Sequence, residues 1–124
     1  MTDTLSIQVA ISSGFLKQMN NLPRKARNKI DRFVRNFQSN PTSPGLNYET
    51  IRNASDPNFR SIRVNDNYRV IVHKPKQGNV YLLCWIDSHD KAYTWAMRRR
   101  CQVHPRTGSL QIYVTEEISV PAEP

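Results

Sequence analysis

Hydrophobic and polar residues alternate near the start of the chain: Leu5, Ile7, Val9 and Ile11 are separated by Ser6, Gln8 and Ala10. A period of two marks a half-buried strand. Ser12, Ser13 and Gly14 offer a cap and a break, and Phe15, Leu16, Met19 and Leu22 follow at helical spacing. Pro23 ends that helix and suits the first turn of the next one. There, Ala26, Ile30, Phe33, Val34 and Phe37 form one apolar stripe, while Arg24, Lys25, Arg27, Lys29, Arg32 and Arg35 take much of the remaining surface. Asn40-Pro41 stops the helix. Residues 13–39 therefore read as a helical hairpin with an apolar face and a cationic face.

The pattern then returns to period two. A turn-rich loop at 40–46 leads to an edge strand beginning around Tyr48, Glu49 and Ile51, and Asp56-Pro57 makes a turn. Three strand-like runs follow at 59–64, 68–73 and 80–86, joined by turns at Asn65-Asp66-Asn67 and Lys76-Gln77-Gly78-Asn79. Connections this short force antiparallel neighbours, hence a β-meander. Residues 89–100 read as a short third helix, with Asp87 or Ser88 as its cap and Ala92, Trp95 and Ala96 inward. After a turn at 104–108, Leu110, Ile112 and Val114 alternate into a last strand. The pattern predicts an α+β fold: an antiparallel meander plus the N-terminal strand, with the hairpin across one face and a short C-terminal helix and extra strand appended. The opposite sheet face is expected to stay partly free, as a platform for nucleic acid. Residues 1–114 form one domain in this reading, and 115–124, acidic and containing proline, form a tail or linker.

Charge sharpens the picture. The 124 residues carry a formal net charge of +8, an imbalance that an anionic partner relieves. Nucleic acid is the commonest such partner, followed by a membrane surface or an acidic protein. No apolar run approaches the roughly 18–20 residues that span a bilayer. The N-terminal residues lack the charged and apolar regions of a secretory signal. Cys84 and Cys101 are the two cysteines, no CxxC occurs, and the three histidines have no metal-ligand spacing with them. These features suggest a reducing cytoplasm, with no metal and no cofactor expected.

The order and residues resemble the RelE/ParE toxin superfamily, which includes RelE, YoeB and HigB. Four segments carry the resemblance: the first strand and helical hairpin with its Leu22-Pro23 joint; Arg60-Ser61-Ile62-Arg63-Val64; Tyr68-Arg69-Val70-Ile71; and Ile86-Asp87-Ser88-His89-Asp90-Lys91-Ala92-Tyr93, similar to a His-x-x-x-Tyr segment of the family. Together they cover roughly residues 5–97. Residues 98–124, with Arg98-Arg99-Arg100-Cys101, depart from the small toxins. The longer form resembles the RelE-like segment at the start of some superfamily 1 (UvrD/Rep-like) helicases, which implies a helicase region in a longer parent chain. No Walker motif lies within these residues.

The resemblance implies a chemistry in which a ribose 2′-OH attacks the adjacent phosphate without a metal. Such a step needs a base, an acid and cations around the phosphorane. By the resemblance, Arg69 is the first phosphate contact and His89 the acid/base group, since an unperturbed imidazole titrates near pH 6.5. Arg63 joins Arg69, because strand alternation puts it on the face of Ser61 and Phe59, with Arg60 at the rim. Tyr93 lies one turn beyond His89 and shares its helical face; a core aromatic is the competing reading. Glu49 aligns less well with the base of the YoeB type. Lys25, Arg27, Lys29, Arg32 and Arg35, with Arg98 and Arg99, would meet phosphates; the helix stripe suits rRNA, DNA or an antitoxin's acidic segment equally, and the Arg98–Arg100 run reads more readily as a solvated helix C-terminus than as a specific site. Trp85 and Trp95 read as core.

Three functions compete. One is a toxin cleaving ribosome-associated mRNA. Another is a non-catalytic nucleic-acid-binding or regulatory module attached to a DNA helicase. The last is a ParE-like gyrase inhibitor acting through protein contacts. The extension past Tyr93 and the absence of a cation from residues 81–87 weigh against an efficient nuclease.

Overall fold

A computed structural model describes residues 7–76, 78–103 and 110–114. Leu5 of the expected first strand, the turn at 104–108 and the tail at 115–124 lie outside the described residues. The order is β1 (Gln8–Ile11), α1 (Ser13–Asn20), α2 (Arg24–Ser39), a 3-10 turn at Pro44–Leu46, β2 (Glu49–Thr50), β3 (Phe59–Arg63), β4 (Arg69–His73), β5 (Val80–Asp87), α3 (His89–Met97), β6 (Arg99–Val103) and β7 (Leu110–Val114). Among the described residues no helix is long and apolar enough to cross a membrane.

Five strands form one sheet in the order β1-β5-β4-β3-β2. β2 to β5 pair antiparallel, as the short turns require. β1 instead joins β5 in parallel, because the hairpin and meander between them form a long crossover. Ser12 fixes the first bend. Its hydroxyl accepts from the Phe15 backbone N–H at 3.0 Å, capping α1, and donates to the Cys84 carbonyl at 2.8 Å, tying the helix to β5.

The hairpin packs across one face. Phe15, Ile30, Val34 and Phe37 bury against Ile62, Val70, Val72, Leu83 and Ile86. Each such side chain is worth about 1.5–3 kcal/mol when fully buried. α2 turns the stripe read from the sequence to this face, with Ile30 and Phe37 fully enclosed.

The opposite face corrects the expectation of a free platform. Ala92, Trp95 and Ala96 of α3 cover Phe59, Ile71, Leu82 and Cys84, with Cys101, Leu110 and Ile112 of the β6–β7 ribbon packed alongside. α3 also ends earlier than expected. The helix stops at Met97, and Arg99 and Arg100 begin β6, so they belong to a strand and not to a helix C-terminus. The cause is the pairing of residues 99–103 with 110–114 into an antiparallel ribbon, whose apolar positions need the sheet to bury them.

β4 and β5 pair with a register shift between Ile71 and Val72: Ile71 stands opposite Trp85 and Val72 opposite Leu83, leaving Cys84 as the extra residue. This bulge lets Cys84 and Trp85 both join the core on the α3 side.

Candidate active site

The two arginines singled out on the strands are neighbours. Arg63 stands opposite Arg69 on the β3–β4 ladder, and Arg69 stands opposite Asp87 on the β4–β5 ladder. Directly opposed residues share a face, so Arg63, Arg69 and Asp87 make a lateral row across three strands, on the α3 side. β5 ends at Asp87, and α3 starts two residues later at His89.

The row is well supplied with partners. Arg63 pairs with Asp66 of the β3–β4 turn. Arg69 Nη1 donates to the carbonyls of Asn65 at 3.0 Å and Tyr68 at 3.3 Å. Asp87 accepts from the Ser88 backbone N–H at 2.9 Å, from Trp85 Nε1 at 3.2 Å and from Gln18 Nε2 at 3.4 Å. The carboxylate thereby locks the start of α3 to the strand, the Trp85 ring and α1. Sequence reasoning treated Asp87 only as a helix cap; its place beside Arg69 depends on a register that the bulge sets.

His89 is exposed, with 53% of its side chain open to solvent. Its Nδ1 lies 3.0 Å from Asp90 Oδ1, and its ring stacks on Tyr93 with centroids 4.3 Å apart. Tyr93 is half-buried against the α3-side core, so it is a core aromatic that also carries the imidazole.

The basic helix face lies across the sheet from this row. Lys25, Lys29 and Arg32 are exposed, Arg27 is half-buried, and Arg35 pairs with Asp31 at 3.0 Å. A groove of about 350 Å³ nevertheless connects the two regions at the edge of β3, where Lys29, Arg32 and Phe33 meet Ile62, Arg63 and Asn65. Arg98 is exposed just past α3, and the Arg99 guanidinium lies 5.1 Å over the Trp95 ring. Trp95 stacks on Trp85 at 5.3 Å and only 10° from parallel, which makes both rings structural. Arg60 sits at the far end of β3, donating to the carbonyls of Pro57 and Phe59 at 2.6 and 2.9 Å. Glu49 stands opposite Ser61, on the face that bears Arg63.

A second polar group lies buried beneath α3. Asp56 accepts from the backbone N–H groups of Asn58 and Cys101, each at 2.9 Å, and approaches His73 Nε2 at 3.7 Å. Burial holds the His73 imidazole below its ordinary pKa, and the Asp56 carboxylate partly opposes that shift. Burial likewise pushes the Cys84 thiol well up and, aided by Asp56, the Cys101 thiol up to about 11. Both thiols are protonated at neutral pH and are not nucleophiles there. Among the described residues no cluster of three or more His, Cys, Asp or Glu could hold a metal ion.

No protein-family model and no curated protein matches this chain. Solved structures do match its fold. The E. coli DinJ–YafQ toxin–antitoxin complex is similar with a TM-score of 0.55 at 12% identity, over 70% of this chain and 97% of that one. The archaeal RelE–RelB complex from Pyrococcus horikoshii gives a TM-score of 0.51 at 18% identity, over 68% and 96%. A mutant of E. coli toxin RelE in the free state gives 0.52 at 12% identity, over 75% and 95%. The chain therefore has the RelE/ParE-type toxin fold, with nearly the whole of each neighbour matched.

Proposed function

We propose that this chain is a RelE-like endoribonuclease that cleaves ribosome-associated mRNA in the cytoplasm and is held in check by an antitoxin protein. The lateral row Arg63–Arg69–Asp87, with His89 two residues past Asp87 in the chain, is the observation that supports this reading. The 2′-oxygen forms a bond to the adjacent phosphorus, the bond to the 5′-oxygen breaks, and a cyclic phosphate and a 5′-hydroxyl result. With Asp90 holding His89 by Nδ1, Nε2 takes the 2′-OH proton, and a solvent water gives the leaving 5′-oxygen the proton it needs. The stack on Tyr93 fixes the ring plane. Arg69 and Arg63 swing from their turn acceptors onto the phosphorane oxygens, where charge develops. The groove through Lys29 and Arg32 carries the flanking backbone. The antitoxin part of this reading is supported by the fold neighbours, several of which were solved as toxin–antitoxin complexes.

One observation favours a second reading. In this state both strand arginines are engaged by the β3–β4 turn, Arg63 by a carboxylate and Arg69 by two carbonyls. A nucleic-acid-binding module without cleavage, such as one joined to a helicase, needs no release of these side chains. Inducible expression in a bacterial host, with cuts mapped by primer extension, separates the two. Growth arrest with cuts that fall about a hundredfold or more in Arg69→Ala and His89→Ala supports the nuclease. Healthy growth and intact mRNA refute it.

A further inference from the structure

The other end of the sheet holds a cationic hollow that this reading leaves unused. Where β3 begins and β4 runs out, Pro57, Asn58, Arg60, Lys74, Pro75 and Lys76 enclose about 570 Å³. Three of these six residues are cations and none is acidic. Acids on the flanking elements face elsewhere. Asp56 is turned inward to Asn58, Cys101 and His73. Glu49 stands opposite Ser61, whereas Arg60 stands opposite Thr50, so the two side chains leave opposite faces of the sheet.

The walls of the hollow are fixed before any ligand arrives. The Lys74 backbone N–H donates to the Asn58 carbonyl at 2.9 Å, clamping the exit of β4 to the entry of β3. Arg60 is anchored through one guanidinium nitrogen to Pro57 and Phe59, which leaves the rest of its donor fork for a ligand. The Lys74 ammonium lies 4.7 Å over the Tyr48 ring, and that ring is itself anchored by a 2.6 Å hydrogen bond from its hydroxyl to the Pro41 carbonyl. Two prolines limit the freedom of the loops between. Cations gathered without a carboxylate repel one another, and a bound anion relieves the repulsion through charge-assisted hydrogen bonds.

We propose that this hollow is a phosphoryl-binding site, distinct from the Arg63–Arg69 row, taking either the backbone phosphates of a nucleic acid or the phosphates of a free polyphosphate compound. Arg60 and Arg63 lie three positions apart on β3, about 10 Å along the strand, and on opposite faces. One phosphate therefore cannot bridge both. The site stands apart from the nuclease reading, because it predicts binding and not cleavage.

The test uses the whole chain and two probes. Tripolyphosphate is titrated by calorimetry, and a labelled single-stranded RNA is titrated by anisotropy at several salt concentrations. Either probe should bind saturably. Lys74→Gln/Lys76→Gln should weaken that binding about tenfold or more, as should Arg60→Gln alone. Arg63→Gln/Arg69→Gln should leave tripolyphosphate affinity unchanged. RNA binding that weakens in the lysine variant, with a log–log salt slope smaller by about 1.4, assigns the phosphates to a nucleic-acid backbone. Loss of tripolyphosphate alone assigns them to a free compound. The proposal is overturned if neither probe binds saturably. It is also overturned if a lysine variant with an unchanged melting temperature binds both as tightly as the wild type.

Discussion

The two faces of the central sheet are built differently. Under the helical hairpin every buried partner is apolar, from Ile62 and Val70 to Phe15 and Phe37. Under α3 and the ribbon the core also encloses Asp56, Ser61 and His73, and two of their polar atoms, Ser61 Oγ and His73 Nδ1, have no hydrogen-bond partner among the described residues. Directional bonds add to the apolar contacts of this second layer: Asp56 accepts from the Cys101 N–H, and Ser55 donates to the Met97 carbonyl. Losing one such partner leaves a buried polar group unpaired, a cost that falls on this layer and favours its local opening. The candidate active-site row lies on the second face. Both faces bury apolar cores, but only the α3 face couples its packing to buried polar contacts near the row.

The largest expected effect is on the hairpin side. Phe37→Ala should cost about 3–5 kcal/mol, read in urea as a single earlier transition. Asp56→Ala should cost about 1–3 kcal/mol by stranding two backbone donors. Its mark is regional: hydrogen exchange should quicken in β6 and α3 and stay slow in α1 and α2. Equal quickening on both sides would erase the contrast drawn here.

A smaller effect comes from pH. His73 is held below its ordinary pKa, so the unfolded chain takes up the proton first. Its contribution is complete above about pH 6.5 and declines as the pH falls below that value. Melting temperature should therefore drop from pH 7.5 to 5.5, by less in His73→Gln than in the wild type. The smallest effect is chemical. With both thiols raised, iodoacetamide should label Cys84 and Cys101 slowly in the native protein and rapidly in urea; fast native labelling of Cys101 would mean that the ribbon stands off the sheet.

The contrast between the faces also divides what could be read from the sequence. The hairpin face was legible because its residues repeat at helical and strand periods over long runs, and because Ser12 and Pro23 punctuate the helices. The Asn65-Asp66-Asn67 turn was short enough to place Arg63 and Arg69 on facing strands. The α3 face was hidden for several reasons. Asp56-Pro57 has the look of an ordinary turn, which conceals a buried carboxylate. Arg98-Arg99-Arg100 reads as a solvated helix end, although β6 starts within it. Residues 80–86 are apolar throughout, so alternation cannot be seen and neither can a bulge. That also hid the pairing of Asp87 with Arg69. Lys76 reads as a turn residue and Lys74 belongs to no motif, because only the return of β4 toward Asn58 brings them beside Arg60.

The extra residue in β5 acts as a change of phase within one strand. Before it, Tyr81 and Leu83 look toward the hairpin; after it, Ile86 does, and Asp87 falls beside Arg69. The two halves keep separate time. Flattening the bulge into plain alternation with Cys84 retained would leave the first half seated while turning the second half to the opposite face. Ile86 would leave its core and Asp87 would turn away from Arg69. For this strand, the bulge and not the length of the run sets which face the second half presents.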